Sequence, residues 1–388
     1  MFDKMPEETA SENGHRPRLI TADLVKGIAI TGMVVLHLAL LQGHGSEPTS
    51  SAGVGIMMFK AIPYSLLCMF IVISGYFYVP GKTFLWNMRK RVLRFSIFLI
   101  AAIIVLNTLM YAILWLQGGY DLELSQLGEV IWQNIIGRGV FKTFDEINVY
   151  GGIILAPFEV THQLYYLQMI IVGYVIFFAI ADKVMDDWRK LFAAVFILMT
   201  MTAAYVEFVG VVLPFYAHLG PMAAGFLLIG TYLSRLHFYE WLESGVYDKR
   251  YWLTFLALLL ISVLLCFITA GDPSILYCNF GPFGGWSLYS FAVLSVAAGM
   301  MLSFIISWFR YVKYLREAVA AVGASCISVF VLHMFVAKCL AAPFVTFNTE
   351  VWVPLGAAAG FLLSLITVAL ITVASCYFRK HKTKKWIE

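Results

Sequence analysis

Ten separate runs of mostly apolar residues, each near the length that crosses a bilayer, constrain this chain more than any other feature. A membrane helix needs about 20 such residues, because lipid offers no partner to backbone N–H and C=O groups. The runs lie near 19–42, 54–79, 92–117, 163–181, 191–212, 219–234, 251–270, 286–309, 317–341 and 351–378. Strand-like alternation is absent, which argues against a barrel. The overall balance agrees: 61% of the 388 residues are hydrophobic and only 13% are charged. A soluble domain is about 45–50% apolar and about 25% charged. Soluble enzymes, disulfide-rich secreted scaffolds, disordered chains and nucleic-acid binders do not have this composition. The expected fold class is all-α, a polytopic integral membrane helical bundle of about ten transmembrane helices.

The net charge of +4 says little until the charges are placed. With the N-terminus inside, Arg16 and Arg18 precede the first span. The inner loops then hold Lys82, Arg89, Lys90, Arg91 and Arg94; Lys183, Arg189 and Lys190; Arg235, Lys249 and Arg250; and Arg310, Lys313 and Arg316. The tail adds Arg379, Lys380, Lys382, Lys384 and Lys385, whereas the outer side has only Lys60, Arg138, Lys142 and Lys338. By the positive-inside rule both termini are cytoplasmic and the protein is a multi-pass component of the cell membrane. The expected layout is a cytoplasmic tail over 1–18, a transmembrane domain over 19–378 and a basic tail over 379–388. Within it, 118–162 is the one long outer segment. Its amphipathic stretch Leu127–Ile136 suggests an interfacial or re-entrant lid. There is no internal repeat, P-loop or dinucleotide fingerprint.

Ionisable residues inside spans are costly, at least ~2.5–3.5 kcal/mol near the bilayer centre, and are functional candidates. The first run carries Asp23, Lys26 and His37. Eleven residues separate Lys26 from His37, about three helical turns, so they share a stripe roughly 16 Å long. Asp23 lies one turn from Lys26 towards the cytoplasm. Two readings stand at this point. The stripe is either a line of acid, base and imidazole through the membrane, or a snorkelling pair with a helix-packing histidine. His44, His162, His218 and His333 also fall on the outer side, which suggests a polar chamber there. No spacing of histidines or cysteines supports a metal site, and none is expected.

At the inner side Arg91 and Arg94 share a face by i,i+3 spacing. They serve either as topology signals or as the mouth of an anion site, since guanidinium forks match phosphate oxygens. Ser74 and Gly75 near the end of the second run permit a polar path or a close helix crossing. Cys68, Cys266, Cys326 and Cys376 read as packing residues. Cys278 and Cys339 are both outer, where a disulfide is allowed in an oxidising compartment.

Taken in order, these pieces resemble the membrane acyltransferase 3 family, which includes polysaccharide and lipid-linked glycan O-acetyltransferases. Its first helix carries Asp-x-x-Arg with a histidine eleven residues on; here Asp23-Leu-Val-Lys26 precedes His37. Lysine replaces the family arginine, and Lys26-Gly-Ile-Ala-Ile is similar to the fucose 4-O-acetylase-like branch. Phe70-Ile-Val-Ile-Ser74-Gly75-Tyr76 matches the family's second-helix ending, and Arg91 and Arg94 match its arginine-rich third-helix entry. His162-Gln-Leu-Tyr165-Tyr166-Leu167 resembles a His-Leu-Trp-aromatic-Leu signature, with the tryptophan displaced to Tyr165. Ser325-Cys-Ile-Ser328-Val-Phe330-Val-Leu-His333 resembles a late Ser-to-His motif.

The resemblance implies a cytoplasmic acyl-CoA co-substrate, usually acetyl-CoA, with no permanently bound cofactor. The implied acceptor is a glycan or lipid-linked saccharide hydroxyl, reached in membrane lipid and without nucleic acid. Lys26, Arg91 and Arg94 would hold the donor phosphates. Asp23 would fix Lys26, and Ser74 and Gly75 would line the donor path. His37 would be the general base or a transient acyl carrier, aided by His162 and His333, with Tyr165 and Tyr166 at the acceptor. The competing expectations are a transporter moving a glycan, lipid or organic anion through the same chamber, and a sensor that binds without turnover.

Overall fold

The computed structural model describes residues 19–35, 68–118, 123–137, 140–142, 158–244, 253, 256, 260, 312–341 and 356–384. Among them the chain is helical, with no β-strand. The elements are α1 (Ile20–Val35), α2 (68–76), α3 (Phe84–Gln117), α4 (Leu124–Ile136), α5 (Tyr165–Val184), α6 (Trp188–Phe208), α7 (Gly220–Arg235), α8 (Phe238–Ser244), α9 (Lys313–Ala324), α10 (Cys326–Ala341) and α11 (Gly356–Lys384). The expected span at 286–309, all of that at 251–270 except 253, 256 and 260, and His37, His44 and Cys278 lie outside the described residues.

Four helical stretches are long and apolar enough to cross a membrane: α3, His162–Val184, α6 and the Phe361–Lys380 part of α11. The pair α9–α10 supplies a fifth if counted as one broken span. The third run therefore begins at Phe84, earlier than its hydropathy suggests, because Thr83 caps the helix by accepting the Trp86 N–H at 3.3 Å. The expected span over 317–341 is not one straight helix: α9 and α10 meet at Ser325 with an 82° bend.

In lipid, helices gain little by hiding apolar surface from one another, so close packing of small residues carries their association. The bundle shows this at two crossings. A Cβ at Gly27 would overlap the Val319 carbonyl oxygen, and one at Gly323 would overlap that of Asp23, so α1 and α9 touch backbone to backbone. A Cβ at Gly75 would likewise overlap the Leu227 carbonyl oxygen, and one at Gly230 that of Val72, which joins α2 to α7. Thr231 on α7 donates to the Gly75 carbonyl at 3.3 Å.

Around these crossings the core is aliphatic and aromatic, with Ile30, Met33, Ile103, Phe177, Phe226 and Val329 fully buried. The outward faces of α3 and α6 stay apolar and exposed, as at Ile97, Val105, Phe192 and Phe196. That is the pattern of helices facing lipid. The amphipathic α4 buries Leu127, Val130 and Asn134 and exposes Trp132, as the sequence of 127–136 suggests.

Candidate functional site

Five helices converge on a cavity of about 600 Å³. From α1 come Lys26 and Ile30; from α2, Phe70 and Ser74; from α3, Lys90, Arg91, Arg94, Phe95 and Phe98. Tyr166, Leu167, Ile170 and Tyr174 of α5 and Cys326, Ile327 and Phe330 of α10 complete the wall. Lys26, Ser74, Arg91 and Arg94, far apart in sequence, thus share one space. Tyr166, an acceptor candidate by resemblance, lines the same cavity.

The local folding of α3 explains its cluster. Met88–Leu93 form a π-helical turn, a geometry that frequently marks functional sites. Spacings of four residues then put Lys90, Arg94 and Phe98 on one stripe, with Arg91 and Phe95 beside it. Trp86, one turn before, lies under the Lys90 ammonium at 4.4 Å from its ring centroid. Lys90 and Arg94 are exposed, whereas Tyr166 and Phe330 are buried, so the cavity has a cationic mouth and an apolar floor.

Lys26 is held from two sides. Its ammonium pairs with Asp23 at 3.2 Å and lies over the Phe77 ring at 5.6 Å. Asp23 is buried and faces a second cavity rather than the large one. Ser74 donates to the Phe70 carbonyl at 2.8 Å. Gly75 lies at the α2–α7 crossing against Leu227. Tyr76 is buried and donates to the Glu240 carboxylate, which anchors α8.

His162, His333 and Tyr165 line neither this cavity nor the second one. His333 is fully buried on α10, one turn beyond Phe330, whose carbonyl lies 2.8 Å from its Nδ1. Tyr165 packs on Tyr216, with ring centroids 5.3 Å apart. His218 stacks on Tyr205 and accepts the Leu213 N–H at 3.3 Å. His162 opens a 3-10 turn, His162–Leu164, just before α5.

That turn belongs to a buried polar lattice. Asn107 on α3 donates to Thr161 Oγ1 at 2.6 Å and accepts the Val160 N–H at 3.1 Å. Asn134 on α4 donates to the Glu159 carboxylate at 2.8 Å, and Lys338 on α10 donates to the Glu159 carbonyl at 2.7 Å. Gln168 on α5 donates to the Asn134 and Ile135 carbonyls. Five segments are thereby tied around His162, because each buried polar group needs a partner.

Sequence reading missed Lys90, Tyr174 and Cys326 as cavity residues. Lys90 stands four residues before Arg94 and Cys326 inside the Ser325-to-His333 motif, so spacing could have pointed to both. No group of three or more metal-ligating side chains occurs among the described residues.

Among the described residues, apolar helices long enough to span and a cavity rimmed by Lys26, Lys90, Arg91 and Arg94 define a helical membrane protein. More narrowly, the chain belongs to the acyltransferase 3 family: the family model for its acyltransferase domain matches residues 20–376. It is a membrane acyltransferase. Comparisons with curated proteins and with solved structures returned no match.

Proposed function

We propose that this protein is a membrane O-acyltransferase, in the first instance an O-acetyltransferase. It takes the acyl group from cytoplasmic acyl-CoA and passes it to a hydroxyl of a surface or lipid-linked glycan. The observation that carries the reading is the large cavity, in which Lys26, Lys90, Arg91 and Arg94 rim a space walled by Phe70, Phe95, Phe98 and Phe330. Acyl-CoA has that division of chemistry: phosphates at one end and a thin, mostly uncharged pantetheine arm ending in the thioester. Guanidinium forks suit the phosphates and the apolar floor suits the arm.

In this reading the protein spans the cell membrane about ten times, with both termini cytoplasmic, and the donor enters past Lys90 and Arg94. The acceptor hydroxyl attacks the thioester carbonyl; the C–S bond breaks and CoA leaves. His37, eleven residues after Lys26 in the sequence, takes the hydroxyl proton and returns it to the leaving sulfur. His162 and His333 orient the acceptor, with Tyr165 beside it, and Tyr166 closes the donor floor.

The test is a comparison of surface glycans from cells with and without the protein by mass spectrometry. It is paired with labelled acetyl-CoA in isolated membranes. One acyl mass per modified sugar, with release of free CoA, supports the reading. Accumulation of a glycan or anion with no CoA release indicates transport instead and overturns it.

A further inference from the structure

Beyond Lys26 lies a second cavity, of about 440 Å³, lined by Asp23, Lys26, Ser325, Cys326, Ser328 and Arg379 among others. The two cavities are neighbours: Lys26, Cys326 and Ile327 border both. Their order is set along α1. Asp23 borders only the second cavity and Ile30 only the large one, with Lys26 between them. At 1.5 Å per residue these positions stand about 4.5 Å and 6 Å apart along the axis.

Arg379 reaches this space from α11, and its Nη2 donates to Ser325 Oγ. That bond fixes the guanidinium at the break between α9 and α10. Gly27 lies against the Val319 backbone and Gly323 against the backbone of Asp23 and Gly27, so the helices on that side of the cavity are in close backbone contact. Asp23 is the anionic group on the wall, and it pairs with Lys26 at 3.2 Å. With Arg379 the lining carries a net single positive charge, together with the hydroxyl-bearing Ser325 and Ser328.

We infer that Arg379 binds a phosphomonoester of the nucleotide donor in this second cavity. The inference rests on the acyl-CoA reading above. Such a donor carries its phosphates as two separate groups, a diphosphate in mid-molecule and a phosphomonoester on the ribose. The protein offers two separate cationic groups, Lys90, Arg91 and Arg94 on α3 and Arg379 on α11, with Lys26 between the cavities. The thioester end belongs in the large cavity, which runs to Phe330 and thus towards His333. The nucleotide end then lies on the Asp23 side, where a planar guanidinium can grip phosphate oxygens in bidentate fashion.

The test uses the full chain in zwitterionic nanodiscs, with acetyl-CoA and 3′-dephospho-acetyl-CoA as probes. A charge-assisted contact to phosphate corresponds to a preference of about ten-fold or more for acetyl-CoA in the wild type. Arg379→Ala abolishes most of that preference while binding the dephospho compound as the wild type does, and Arg379→Lys keeps part of it. Ser328→Asp, which adds a carboxylate to the cavity without removing the Arg379 bond, has the same selective effect. If both Arg379→Ala and Ser328→Asp retain the wild-type preference while Arg91→Ala weakens both probes, the inference falls and the donor reading stands. If the wild type binds neither probe, the donor reading fails and takes this inference with it. Repeating the titration in phosphatidylglycerol discs separates the sources of phosphate. Competition by that lipid, lost in Arg379→Ala with an unchanged probe preference, assigns the cavity to a headgroup and overturns the inference.

Discussion

Gly323→Ala is the sharpest perturbation of the site that touches no cavity-facing side chain. The new Cβ would overlap the Asp23 carbonyl oxygen, with the Asp23 carbonyl carbon at 2.7 Å and the Gly27 nitrogen at 2.8 Å. All three are backbone, so no rotamer change relieves the clash. α1 and α9 must separate by about 1 Å, an overpacking that costs about 1–3 kcal/mol of stability. The same motion carries Asp23 and Lys26 away from Cys326, and a misplacement of about 1 Å can cost about 100-fold in rate. Gly225→Ala is the matched control. Its Cβ meets the Met199 Cε at 3.0 Å, the tip of a flexible side chain that can swing aside. The expected result is a lower Tm with about 100-fold slower CoA release for Gly323→Ala, and near-native behaviour for Gly225→Ala. Thermal unfolding in detergent and chromatographic quantitation of free CoA measure both. Wild-type turnover in Gly323→Ala, or equal damage in Gly225→Ala, would refute the claim that this crossing positions Lys26.

The remaining predictions probe the polar lattice and the cavity. Asn107→Leu orphans the buried Val160 N–H and removes the bond to Thr161, so it should lower stability by about 1–3 kcal/mol. Because the turn bearing His162 is then loosened, kcat should fall more than the KM for donor rises; an unchanged Tm would show that the lattice carries no load. Cys326 borders both cavities, so alkylation there should block donor binding, and acetyl-CoA should protect it. Peptide mapping by mass spectrometry separates it from Cys339 and Cys376, and equal labelling of Cys326 with and without donor would place the donor elsewhere.

The positions of the four spanning stretches among the described residues were legible in the sequence, because spanning lipid imposes a length and a composition on each helix. The joint placement of Lys26, Ser74, Arg91 and Arg94 was legible for a related reason. Each is a polar or cationic departure from an apolar run, and such departures turn inward because lipid rejects them. The bend at Ser325 was not legible. Hydropathy is continuous across 317–341, whereas beside the bend Gly323 lies against the backbone of Asp23, 300 residues earlier. Cations were the harder case. Lys90 and Arg379 sit within basic clusters that the sequence offers as topology signals, and a topology signal and a phosphate ligand have the same charge. What separates them is which way the helix turns the side chain. Arg379 reaches back to Ser325 across the break in another helix, and no spacing within 379–388 encodes that contact. A positive-inside cluster in such a protein is therefore two populations, and only the facing helices sort them. The phosphomonoester titration applies that distinction to Arg379, because a cation serving topology alone has no reason to distinguish acetyl-CoA from its dephospho form.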